Sequence, residues 1–139
     1  MPTNTDSAAR TDVPSRAAAR TGLVLTVLVG LFLLFDSVTK LLRLPPVVAA
    51  TVQLGFPAGQ VAVIGGVLLV CLVLYLVPRT AVFGAVLLTG YLGGAVCTNM
   101  RAELPLWGYV LSPVYTGVLV WLALYLRSTA LRRLVRGGD

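Results

Sequence analysis

The chain has 139 residues, 58% of them apolar and only 12% charged, with 11 Lys+Arg against 5 Asp+Glu and no histidine. A soluble domain carries about 25% charged and about 45–50% apolar residues, so a single buried core cannot absorb this composition. Two cysteines without histidine exclude a disulfide framework and a Cys/His zinc set, and the +6 charge gathers at the ends of apolar blocks rather than on a nucleic-acid-binding face.

Residues 1–21 are small and polar, hold Arg10, Arg16 and Arg20, and show no helical or strand period. They read as a disordered tail, with an arginine-rich helical turn over residues 17–20 as the alternative. Four apolar blocks follow at about 22–42, 59–77, 80–99 and 108–126. Each approaches the ~20 residues that a helix rising 1.5 Å per residue needs to cross ~30 Å of hydrocarbon. The fold expected is all-α: an integral membrane four-helix bundle over residues 22–128, followed by a basic tail over 129–139. Between the first two spans, Pro45-Pro46 stops one helix and opens another short one, closed by Gly55 and Pro57 and lying at the membrane interface. Pro78-Arg79 makes so short a turn that the second and third spans form an antiparallel hairpin.

Arginine and lysine set the expected orientation. Arg10, Arg16, Arg20, Arg79, Arg127, Arg132, Arg133 and Arg136 fall on one side; Lys40, Arg43 and Arg101 fall on the other. Eight against three places both termini in the cytoplasm, with the C-terminal arginines anchored at lipid headgroups.

The residue that stands out is Asp36. Counted from Gly22 it lies roughly 21 Å along the first span, inside hydrocarbon, where a lone carboxylate is costly. Lys40 stands one turn later on the same face and neutralises it, and Arg43 is within reach of the same side. Antiparallel topology brings Gln60, Thr98, Asn99, Arg101, Glu103, Tyr109, Ser112 and Tyr115 to that depth. The other halves of the spans offer little polarity beyond Tyr75 and Thr89. Pro113 frees a backbone carbonyl near Tyr109. The expectation is a pocket for a small, partly apolar ligand lined by Asp36, Lys40, Asn99, Arg101 and Tyr115. Cys71 and Cys97 differ in depth by roughly 16 Å, beyond disulfide reach. Gly90, Gly94 and Thr98 form a small-residue face suited to tight packing within the monomer, or to a homo-oligomer seam.

Four stretches carry a resemblance: Phe35-Asp36-Ser37-Val38-Thr39-Lys40, the short Val47-Val48-Ala49-Ala50-Thr51 helix ending in Leu54-Gly55-Phe56-Pro57, Pro78-Arg79-Thr80-Ala81-Val82-Phe83-Gly84-Ala85, and Leu87-Leu88-Thr89-Gly90-Tyr91-Leu92-Gly93-Gly94-Ala95-Val96. Together they closely resemble the DoxX-like family of small four-helix bacterial membrane proteins. The resemblance implies a bacterial cytoplasmic membrane and an accessory or small-molecule-binding role, the molecule being lipid-like or quinone-like. The alternative it implies is a membrane subunit of a quinone-linked sulfur or thiol oxidoreductase, with a redox partner subunit. A glutamate often found in the second span of the family falls at Leu68 here, and a histidine before the third loop falls at Asn99; both departures remove ionisable groups that redox or proton-coupled chemistry uses.

Overall fold

Ser15 opens the first helix. A computed structural model describes residues 15–137, and among them every regular element is helical. The Ser15 hydroxyl accepts a hydrogen bond from the Ala18 N–H at 3.1 Å, and good helix formers follow, so α1 (Arg16–Leu41) begins ahead of the apolar block. Residues 16–21 therefore continue the span rather than belonging to a disordered tail; residues 1–14 of that tail lie outside the described residues.

α1 stops at Arg43, which adopts the left-handed conformation (φ 52°) ahead of the two prolines. α2 (Pro45–Gln53) carries those prolines in its first turn, where a missing N–H costs nothing. Gly55, at φ 95°, turns the chain into a short 3₁₀ turn (Ala58–Gln60) and α3 (Val61–Leu76). The Thr80 hydroxyl donates to the Leu74 carbonyl at 2.7 Å and closes the tight turn into α4 (Ala81–Arg101). A π-helical turn (Leu106–Val110) precedes α5 (Ser112–Arg127), and α6 (Thr129–Val135) ends the described chain. α6 corrects the expectation of a plain basic tail: Ser128 caps it by accepting from the Leu131 N–H, and Leu131 folds back into the core.

Four stretches, α1, Ala58–Leu76, α4 and Leu106–Arg127, are long and apolar enough to cross a membrane. Their surfaces are inverted relative to a water-soluble bundle: Leu23, Phe35, Val63, Val70, Phe83 and Val118 all face outward. Such a surface is stable only in lipid. The chain is a multi-pass membrane protein. α1 and α4 each pack against both α3 and α5, so the four spans close into a ring, with both described ends on one side, called here the terminal end.

Inside the ring, Leu33, Leu68, Leu72, Leu88 and Leu124 form one core with Tyr75, which is fully buried. The Tyr75 hydroxyl donates to the Val120 carbonyl at 2.8 Å, tying α3 to its diagonal neighbour α5. A Cβ on Gly84 would fall inside the Tyr75 backbone, so this glycine lets α3 and α4 touch main chain to main chain beside their turn. Arg127 donates to the Tyr75 carbonyl at 2.9 Å with its guanidinium 5.1 Å from the Tyr75 ring centre. Arg132 donates to the carbonyls of Tyr125 and Leu126. Two of the C-terminal arginines thus satisfy carbonyls at helix C-termini, where cations are favoured. Cys71 is buried in this core, Cys97 is exposed, and both are free thiols.

Candidate functional site

The end opposite the termini is built differently. Ser37 buries itself against α3, donating to the Gly65 carbonyl at 2.8 Å, and a Cβ on Gly65 would overlap Lys40 Cβ. This close seam fixes the rotation of α1, and with it the direction of Asp36 and Lys40 on either side of Ser37. Lys40 Nζ and Asp36 Oδ1 pair at 2.5 Å, the lysine side chain 15% exposed and the carboxylate 39%. Both line a half-open cavity of about 490 Å³ bordered by α1, α2 and the spans α3 to α5, within the range of small-molecule sites. Arg43 does not join the pair; it reaches the Ala58 carbonyl at 3.3 Å and tethers the segment after α2.

α4 supplies the opposite wall. Asn99 lines the cavity, and its Nδ2 donates to the Tyr109 carbonyl at 2.8 Å. That carbonyl is free to accept because Pro113, four residues on, has no N–H to offer it. Gly90 and Gly94 also line the cavity, and a Cβ on either would meet nothing within 4 Å. The expectation of tight packing along this small-residue face is therefore corrected: here the missing side chains make a void. From Gly90 to Asn99 the void extends roughly 13 Å along the helix, nearly half the ~30 Å hydrocarbon thickness.

Thr51 of α2, with Leu54 and Phe56 just after it, closes the far end. Ser112, Pro113 and Thr116 add the α5 side. The hydroxyls of Thr51 and Thr116 are spent on carbonyls one turn back. Ser112 and Tyr91 are the exceptions, since neither hydroxyl has a hydrogen-bond partner among the described residues. Tyr91 lines the deeper part beside Phe32, Leu33 and Leu92. Polar groups thus collect at the far end, with one free phenol further in among hydrocarbon.

Of the five residues expected at the site, Asp36, Lys40 and Asn99 come together on the cavity. Tyr115 is turned outward and half-exposed, and Arg101 is exposed at the end of α4; neither lines it. Tyr91 and Thr51 were missed. A tyrosine far from either membrane interface, where tyrosines ordinarily sit, is the signal that could have singled out Tyr91.

The model of the DoxX-like family matches residues 24–123. The chain belongs to the DoxX-like family. Every residue that lines the cavity falls inside the matched stretch, whereas α6 and the first turns of α1 fall outside it. No curated protein and no solved structure matches the chain. Leu68, where the DoxX-like pattern often has glutamate, is fully buried in the core of this member and does not line the cavity.

Proposed function

We propose that this DoxX-like protein binds a small amphiphilic molecule in the far-half cavity and serves as an accessory or carrier in the membrane. One observation carries the reading: Asp36, Lys40, Thr98, Asn99 and Ser112 gather at the far end of the cavity, while Phe32, Leu33 and Leu92 line its deeper part. A ligand whose polar part sits by Asp36, Lys40 and Asn99, and whose apolar part points inward, matches that gradient. The ion pair neutralises its own charge, so the site attracts by hydrogen bonding more than by net charge. A quinone-like ring fits this description, since its carbonyls would accept from Lys40 and the free Tyr91 hydroxyl.

The arginine distribution supports a cell membrane with both termini in the cytoplasm and the cavity in the outer leaflet. A reporter fused after Asp139 is expected to behave as cytoplasmic; export of the reporter would refute the orientation. For the binding reading itself, the protein is purified in detergent and its bound lipids are extracted and identified by mass spectrometry. A stoichiometric amphiphile is expected with the wild type and lost in Gly94→Leu, which fills the void. Retention of the same molecule by Gly94→Leu would overturn the reading.

A further inference from the structure

A second depression, of about 440 Å³, lies on the outside of the bundle along the α4–α5 seam. Its walls are Gly93, Val96, Val114, Gly117, Val118 and Trp121. Leu92 and Pro113 line this groove and the inner cavity alike. These two buried side chains form the wall that the cavity shares with the lipid-facing groove. Gly93 and Gly94, adjacent in sequence, stand on opposite sides of that wall: Gly93 on the groove, Gly94 on the cavity.

The two spaces differ in chemistry. The polar groups of the groove are already satisfied, since Trp121 Nε1 donates to Thr89 Oγ1 at 2.8 Å and Thr89 Oγ1 donates to the Ala85 carbonyl at 2.8 Å. What remains is a hydrocarbon trough. The cavity, by contrast, keeps the free Tyr91 hydroxyl, the spare protons of Lys40 and the part-exposed Asp36 carboxylate. We propose that the ligand is a single-tailed amphiphile with an uncharged, hydrogen-bonding head, its head in the cavity and its tail passing between Leu92 and Pro113 into the α4–α5 groove. This inference rests on the binding reading above and adds the ligand class and its path. Entry is lateral, from the bilayer, so the tail never crosses water. One groove accommodates one tail, which sets the ligand apart from bulk two-tailed phospholipid.

Trp121 reports on the groove. In a Trp107→Phe background it is the sole tryptophan, because the chain has two. The protein is placed in phosphatidylcholine nanodiscs and titrated with dibromostearoyl monoglyceride, whose bromines quench indole fluorescence on contact. Saturable loss of Trp121 emission is expected. Gly93→Leu, which fills the groove, and Gly94→Leu, which fills the cavity, are each expected to abolish the saturable part. Both positions have open space around the added Cβ, so both variants keep the fold. Dibromostearic acid, with the same tail and an anionic head, is expected to quench more weakly; an equal or stronger response overturns the uncharged head. Quenching that rises linearly with probe content, or saturable quenching that survives Gly94→Leu, overturns the tail path. If Gly94→Leu releases the co-purified amphiphile while the probe never saturates, the path alone fails; if the amphiphile stays on Gly94→Leu, the binding reading fails with it.

Discussion

The two halves of the bundle differ in what their glycines on α4 do. Near the termini, Gly84 brings two backbones into contact around Tyr75, and most of the surrounding polar groups find partners: Tyr75 with Val120, Thr80 with Leu74, Arg127 Nη2 with Tyr75, while Arg127 Nε is left buried without one. In the far half, Gly65 of α3 still packs against Lys40, but Gly90 and Gly94 of α4 bring nothing into contact and leave a space with an unbonded phenol beside it. Small residues in a membrane helix are thus not a packing signal in themselves. What decides is whether a neighbouring backbone occupies the space they vacate.

Substitutions that attack the closed half should cost most. Gly84→Val forces α3 and α4 apart, and a loss of about 3 kcal/mol or more is expected, read as a fall in the thermal or denaturant midpoint of the detergent-solubilised protein. An unchanged midpoint would mean that the close seam is not formed. Next comes the ion pair. Asp36→Asn leaves Lys40 largely buried without its counter-charge, at a cost of about 1–3 kcal/mol. Replacing both, Asp36→Asn with Lys40→Met, should cost less than Asp36→Asn alone, because the stranded charge is gone. A double variant no better than the single one would show that the lysine escapes to the surface.

A smaller effect is expected from Tyr75→Phe, which keeps the packing and removes one interhelical hydrogen bond. About 0.6 kcal/mol is the usual scale for such bonds in membranes, measurable by reversible unfolding in mixed micelles. Smallest of all should be Gly94→Leu. It adds a side chain to empty space and exchanges glycine for a better helix former, so stability should hold or rise slightly while ligand retention is lost. A strong destabilisation here would mean that the void is normally collapsed.

The four spans could be read from the sequence because lipid imposes one requirement, length of apolar run, that needs no knowledge of neighbours. The pairing of Asp36 with Lys40 was legible for a similar reason: residues one turn apart share a face whatever surrounds them. Asn99 could be placed at the right depth, and Pro113 pointed to the Tyr109 carbonyl that accepts from Asn99. What escaped depended on rotation about the helix axes. Tyr115 and Arg101 lie at the same depth as the cavity and yet point away from it, and hydropathy carries no period to reveal this in helices that are apolar all round. The start of α1 at Arg16 and the whole of α6 were lost to composition, since a serine cap and a few alanines or leucines look like tail when averaged over a window.

The main-chain contact at Gly84 also fixes where the structure can give. α3 and α4 are pinned beside their shared turn, and from Gly84 to Arg101 is a lever of roughly 25 Å. A change in crossing angle of about 5° about that fulcrum swings the distal end of α4 by roughly 2 Å over such a length. Angular fluctuation that is negligible at the pinned end is therefore magnified at the rim.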